Sequence, residues 1–355
     1  MRRISPQPFF IKLFNWEYWP FTVIYAPIYL YWFWLCIRCR SFFFFNAANP
    51  TIKNGGFLLE SKKEIYDLIP ENLYPKTLFC LHDAGNEIIQ QQLASRKLKF
   101  PLIGKPDIGM RGLSVKKLEN VCDVVKYAQQ SKVNFLLQEF IPFENETGIF
   151  YYRYPNEQKG HISGIVDKEF LSVTGNGIST IEMLLQQEPR FVLQLPTLRE
   201  TFGNELQHIL NNGEKYLMVP YGNHCRGAKF LDASGLIDTE LTDVIDHVCK
   251  QIPGFYFGRM DIRYNTWEEL KQGKNFSIIE LNGAGSEPTH IYDPKHSILY
   301  AWKEIIRHWN ILLKVSIQNH KAKQIPYMTL RSGLQMFKEN GAYVKMIEPS
   351  KKETA

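Results

Sequence analysis

Apolar and polar positions follow one pattern before about residue 54 and another after it. In the first part hydrophobic residues run on without a period. Residues 18–37 are twenty consecutive uncharged residues, and at the helical rise twenty residues match the hydrocarbon core of a bilayer. Nine of the twenty are aromatic, a composition suited to the membrane interface, where a ring is buried and its polar tip stays wet. Pro20 and Pro27 interrupt a continuous helix. Arg38 and Arg40 then lead into the short cluster Phe42-Phe43-Phe44-Phe45, so the pattern predicts a monotopic or re-entrant anchor rather than a single span.

From Gly55 onward the pattern is periodic. Leu118, Val121, Val124, Val125 and Ala128 share one helical face and predict a helix over 116–131. Further helices are expected at 84–96, at 241–252, at 297–318 and at 329–337, the last packing on the core. Residues 77–81, 100–105 and 135–141 read as strands, and 148–154 with 161–166 as an antiparallel pair. Two more strands, 255–264 and 276–282, flank a polar turn and predict a hairpin. Helices and strands are interleaved, which gives an α+β chain.

With 355 residues, 45% hydrophobic and 22% charged, the chain can bury a core of one large domain or two lobes. Neither a collagen nor a disordered tail has this composition. The net charge is +6. Residues 1–54 carry six basic side chains, Arg2 and Arg3 among them, against one acid, Glu17. The basic excess thus lies beside the apolar stretch, where lipid headgroups rather than nucleic acid are the acidic partner. Six scattered cysteines suit a reducing compartment, and the single C-x-x-C at Cys36 and Cys39 is weak as a metal or redox motif. The lysine-rich end at 351–353 reads as a solvated tail.

Four groups of residues could carry chemistry. Glu280 and Asn282 stand two apart on a strand and so share a face, and a hairpin partner can set Asp261 opposite them. Three such oxygen ligands suit Mg²⁺. Arg259 shares the face of Asp261, and Gly283-Ala284-Gly285-Ser286 would let backbone amides approach an anion. Upstream, Lys105 ends a strand before the glycine loop 107–114, in outline a phosphate cradle, although no P-loop or dinucleotide-binding motif is present. The third group, Gln138-Glu139-Phe140-Ile141 with Glu146, offers an apolar strand and two acids. The fourth sets Lys168 before the glycine turn 172–181.

In this order the four groups resemble the ATP-grasp superfamily of carboxylate-amine ligases over about residues 61–309. Phe257-Gly258-Arg259-Met260-Asp261-Ile262-Arg263 with Ile278-Ile279-Glu280-Leu281-Asn282 is similar to the metal-binding strands of D-alanine-D-alanine ligases. Residues 172–185 are similar to the glycine turn and helix of cyanophycin-synthetase-like members.

The resemblance implies an ATP-grasp fold, two α+β lobes sandwiching ATP, preceded by the aromatic-rich membrane segment. It implies that Asp261, Glu280 and Asn282 bind two Mg²⁺ ions, Mn²⁺ being an admissible substitute, and that Arg259 stabilises the transferring phosphoryl group. Lys62, Lys105 and Lys168 would contact ATP phosphates under a loop containing Gly109, Gly112 and Ser114. Glu139, Ile141 and Glu146 would hold adenine and ribose, and Arg226, in the segment 222–227, the acceptor carboxylate.

The implied division is a membrane anchor at 1–54, a truncated N-terminal lobe at 55–99, the ATP-grasp domain at 100–320 and a C-terminal helix and tail at 321–355. The implied reaction joins a carboxylate to an amine through an acyl phosphate; the apolar N-terminal segment adds the expectations of action at a membrane surface, a cytoplasmic catalytic domain and one substrate that is lipid-linked or amphiphilic. The rival readings are an idle nucleotide-binding membrane scaffold and a ligase with a non-amine acceptor. Asn-Gly-Ala-Gly-Ser departs from the Asn-Thr-x-Pro-Gly of the D-alanine ligases, so their dipeptide substrate is not carried over.

Overall fold

A computed structural model describes residues 7–109 and 112–347 of the chain. Arg2, Arg3, the centre of the 107–114 loop (Met110 and Arg111) and the 351–353 tail lie outside the described residues. The architecture is α+β and is built on two antiparallel sheets. The smaller has the order β1-β4-β2-β3, from strands Thr77–Cys80 (β1), Leu102–Pro106 (β2), Lys116–Leu118 (β3) and Phe135–Glu139 (β4). The larger begins with Asn145–Tyr152 (β5) and His161–Glu169 (β6). The short pair Ser172–Thr174 (β7) and Lys215–Leu217 (β8) stands apart from it, and Lys229–Asp232 (β9), Phe257–Tyr264 (β10) and Phe276–Asn282 (β11) complete it in the order β11-β10-β5-β6-β9.

Strand parity sets what each face of the large sheet meets. Ile149 and Tyr151 of β5 and Met260 and Ile262 of β10 point to one side, where the helix Thr239–Lys250 lays down Leu241, Ile245 and Val248. This helix is capped by Asp238, whose carboxylate accepts from the Leu241 N–H. The alternate positions, Gly148 and Phe150 on β5 and Arg259, Asp261 and Arg263 on β10, point to the other side. There the long helix Ile298–Lys323 covers one end and leaves a cavity at the other.

Three expectations change. The boundary at 99/100 passes through the small sheet, because β1 and the helix Asn86–Ser95 pack with β2, β4 and the helix Val121–Gln130 in one core. Lys116–Leu118 is a strand on the edge of β2, and the helix starts after Asn120, whose side chain caps it. The segment before residue 54 is part of the fold rather than a detached anchor. Its helices Phe21–Tyr25 and Tyr29–Cys39 are separated by a 3₁₀ turn at Ala26–Ile28 that contains Pro27. Ile24, Tyr25 and Ile28 pack on Ala301 and Ile305 of the long helix, and Leu35 and Cys36 join Phe43–Phe45 in a core with Leu312 and Val315. The opposite side is bare, with Phe14, Leu30 and Ile37 each more than 70% exposed.

Leu35→Ala is expected to destabilise the protein by about 2–5 kcal/mol, as for a buried core leucine. Leu30→Ala should stay within about 0.5 kcal/mol. Urea unfolding of the full chain checks both, and equal, small effects would mean the segment is not part of the core.

Candidate active site

A cavity of about 1520 Å³ lies between the two sheets, with Lys105, Gln138 and Glu139 on one wall and Glu146, Lys168, Arg259, Asp261, Glu280 and Asn282 on the other. It exceeds the usual range for a drug-sized ligand, which leaves room for more than one reactant. Asp261 and Glu280 are register partners on β10 and β11, as are Arg259 and Asn282. The four therefore stand on one face across two strands.

On the large sheet the charges form a continuous buried network. The Arg259 guanidinium donates to both oxygens of Asp261, at 2.8 and 3.3 Å. Lys168 Nζ lies 3.0 Å from Asp261 Oδ2 and 2.9 Å from Glu146 Oε1. Arg263 Nε lies 3.1 Å from Glu146 Oε2 and its guanidinium also donates to the Phe143 and Pro220 carbonyls. Burial opposes the charge of Asp261, but Arg259 and Lys168 outweigh it and hold the carboxyl below its ordinary range. Burial likewise opposes the Lys168 ammonium, and Asp261 and Glu146 overcome it, so its pKa lies above the usual lysine value.

Two glycines make room for this network. A Cβ on Gly148 would come within 3.0 Å of Asp261 Oδ1, and one on Gly222 within 2.5 Å of the Lys168 side chain.

Lys105 is held on the opposite wall. Its ammonium donates to Tyr66 Oη, Gln138 Oε1 and the Ile279 carbonyl at 2.8–3.1 Å, and burial lowers its pKa to about 8. Lys62, on a helix whose start is tied to Asp107, points its ammonium at Glu280, 3.7 Å away. Gly109, Gly112, Glu139 and Ile141 also line the cavity. The Glu139 carboxylate accepts the Lys99 N–H.

The other sequence-derived candidates sit elsewhere or do something else. Arg226 does not line the cavity: it reaches across to the neighbouring loop, donating to Tyr221 Oη and to the Gly112 and Val115 carbonyls. It joins two loops here, outside the lining of the cavity. Ser114 also lies outside the lining, its carbonyl accepting from Tyr127. The carboxylate of Glu146 lines the cavity and is engaged by Lys168, Arg263 and the Gly222 N–H, as Asp261 is by Arg259 and Lys168. The amides of Ala284 and Gly285 donate to the carbonyls of Gly55 and Gly56. That loop is therefore spent on the fold, which corrects its reading as an anion cradle. The glycine turn after β7 closes on itself through Asn176.

For a hard divalent cation the donor set fits. Asp261, Glu280 and Asn282 supply only oxygen ligands of the kind Mg²⁺ takes. The amide nitrogen of Asn282 is buried without a hydrogen-bond partner among the described residues. Because amide N and O are assigned from such networks, a flipped amide puts an unused oxygen there. Among the described residues no three His, Cys, Asp or Glu side chains gather as a metal cluster, so the set depends on the asparagine.

No family model matches this sequence, and no curated protein matches it. Solved structures it is similar to include a bifunctional glutathione synthetase from Pasteurella multocida, at 13% identity, TM-score 0.37, over 69% of this chain and 36% of that one. VanG D-Ala:D-Ser ligase from Enterococcus faecalis matches at 12% identity, TM-score 0.39, over 74% of this chain and 60% of that one. D-alanine-D-alanine ligase from Bacillus anthracis matches at 11%, TM-score 0.42, over 74% of this chain and 69% of that one. This chain thus spans about a third of the synthetase and three fifths of the D-Ala:D-Ser ligase. The likeness is too loose to assign a role to any residue.

Sequence parity alone would have found Arg263, two residues beyond Asp261. It gave no sign of Glu17, which is brought from the N-terminal segment to Arg190, at 2.5 Å, and to His224, at 3.1 Å, beside the cavity. His308, on the long helix, also lines the cavity. Its Nδ1 donates to the Glu304 carbonyl and its Nε2 sits 2.9 Å from Ser163 Oγ. Burial, helped by Arg307, lowers its pKa to about 3.

Because the unfolded chain takes up that proton at about pH 6.5 and the folded chain does not, the stability is complete above 6.5 and is lost as the pH falls toward 3. Between pH 6.5 and 5 the loss should approach about 1.4 kcal/mol per unit. Glu304, held at about 2 against burial by His290 and Arg307, adds a loss only below about 4.5. Urea unfolding at pH 7.5 and 5.0 should show this slope in wild type and a flatter one in His308→Asn. An unchanged slope would exclude His308 as its source.

Proposed function

We propose that this chain is an ATP- and Mg²⁺-dependent carboxylate-amine ligase of the ATP-grasp type, acting at a membrane surface. One observation carries the reading: three buried or half-buried cations, Lys105, Lys168 and Arg259, line the same cavity as Asp261, Glu280 and Asn282, between two sheets. Cations fixed in a dry site stabilise a transferring phosphoryl group without reorganisation, which suits a reaction that depends on positioning and charge. The sequence resemblance supports the same assignment of roles.

In this reading Lys105, with Lys62 beside it, binds the phosphates of ATP from the small sheet, and Arg259 faces the γ-phosphoryl group from the large one. Mg²⁺, held by Asp261, Glu280 and Asn282, supplies neutralisation of phosphate charge. A substrate carboxylate oxygen takes the phosphoryl group, and ADP leaves. The amine nitrogen then bonds the acyl carbon, and the carbon–oxygen bond breaks with its electron pair on phosphate. The protons lost by the amine pass to solvent. Glu146 and Arg263 keep Lys168 and Asp261 aligned throughout.

The bare apolar side of the N-terminal segment supports the membrane part of the proposal. Residues 21–39 are long and apolar enough to cross a bilayer, yet one side packs on the long helix. Immersion of only the outer side in the interface accounts for both.

Detergent-solubilised full chain with Mg-ATP and a fractionated carboxylate and amine pool should release ADP, and hydroxylamine should capture a hydroxamate. Asp261→Asn, Glu280→Gln and Arg259→Met should each slow ADP release by about 10²–10³-fold. Turnover that is absent, or the same in the three variants, would end the ligase reading.

A further inference from the structure

The cavity does not stop at the charged walls. The same cavity has an apolar part of its lining, here called the aromatic branch, formed by Tyr25, Trp32, Phe45, Phe57, Trp309 and Leu312. The aromatic rings follow one another without a gap. Tyr25 lies 6.1 Å from Trp309, and Trp309 lies 5.1 Å from Trp32. Trp32 lies 6.2 Å from Phe45, which stacks on Phe57 at 4.0 Å, and Phe57 meets Phe337 at 6.3 Å. Phe33 and Phe42 of the N-terminal segment and Leu330, Leu334 and Phe337 of the last helix also line the cavity and are exposed. A lone charged reactant has no use for such a branch, whereas a hydrocarbon chain gains free energy along its whole length.

Glu287 stands where the branch leaves the charged site. Its backbone carbonyl accepts from Arg259 at 3.3 Å, so it adjoins the phosphoryl-transfer face. Its carboxylate accepts a 2.5 Å hydrogen bond from Tyr25 and 3.4 Å contacts from Tyr292. Among the described residues no Lys, Arg or His comes within ion-pair distance of it. Arg259 feels the charge of Glu287 but is paired directly with Asp261, so a half-buried carboxylate held by phenol hydroxyls and without a direct ion pair can seat an ammonium group. Two other acids of the cavity have no ion pair among the described residues and differ from it: Glu139 accepts the Lys99 N–H, and at Glu60 burial raises the carboxyl pKa, with Lys62 opposing the rise and Glu280 adding to it.

We propose that this branch binds the hydrocarbon tail of an amphiphilic amine whose ammonium sits on Glu287, and that this molecule is the acceptor of the ligation. The second half of the statement rests on the ligase reading. The first half does not, because the binding site is defined by the aromatic branch and the carboxylate alone.

The test uses the full chain in nonionic detergent and 12-bromododecylamine, whose tail bromine quenches tryptophan emission on contact. Quenching should fall when Trp32 and Trp309 are both changed to Phe. Dodecylamine should compete, while butylamine and dodecanoate at equal concentration should not. Glu287→Gln, verified as folded by its thermal transition, should weaken the amine at least tenfold, and Glu60→Gln should leave it within twofold. Competition by dodecanoate as strong as by dodecylamine, unchanged affinity in Glu287→Gln, or no quenching in wild type would each overturn the site. Asp261→Asn should still bind the amine. Selective binding without any ADP release in wild type would therefore remove the ligase reading and leave the amine site in place.

Discussion

The structure turns on a set of charges removed from water. Glu146, Lys168, Asp261 and Arg259 alternate in sign, and Arg263 closes the far end. Stripping each of its hydration costs several kcal/mol, and such groups persist only where every charge has a partner at close range. Much of the surrounding chain meets that demand. β5 and β10 are in the register that sets Gly148 against Asp261 and Glu146 against Arg263. Gly148 and Gly222 carry no side chain where one would press on the pairs. The loop at Pro220–Gly222 supplies a carbonyl to Arg263 and an amide to Glu146.

A second constraint joins the N-terminal segment to that site. Asn49, fully buried, donates to the carbonyls of Gly55 and Phe257 and accepts from the amides of Tyr256 and Phe257. This fixes the end of the aromatic segment against the start of β10. Glu17 and Tyr25 then reach the cavity from the same segment, one at Arg190 and His224 and the other at Glu287. Displacement of the aromatic helices would therefore alter both the bare outer face and the wall of the cavity.

The parts of this arrangement legible in the sequence are those governed by period. Two-residue alternation put Arg259 with Asp261 and Glu280 with Asn282, and the polar turn between the strands implied their pairing. The helix Thr239–Lys250 was legible for the same reason: its apolar face repeats every three or four residues. Contacts between residues far apart in the chain carry no such signal. Nothing local distinguishes Arg226 as a loop tie from Arg226 as a substrate clamp. Nor does anything local show that Gly283-Ala284-Gly285 gives its amides to Gly55 and Gly56, more than two hundred residues earlier. The aromatic segment carries a more general ambiguity, because nine rings in twenty residues suit a membrane interface and a packed core equally well, and here some of its apolar side chains are buried in the core while others are exposed.

The central claim is that the buried cations and the oxygen ligands Asp261, Glu280 and Asn282 together form a Mg-nucleotide site. Calorimetric titration of ATP into the full chain, with and without Mg²⁺, tests it without requiring any knowledge of the acceptor or the acid. Binding should depend on Mg²⁺, and the dependence should disappear in Glu280→Gln. In Lys105→Met the affinity should fall by at least tenfold. ATP binding that is indifferent to Mg²⁺ and to both substitutions, or no binding to the folded wild type, would contradict the account.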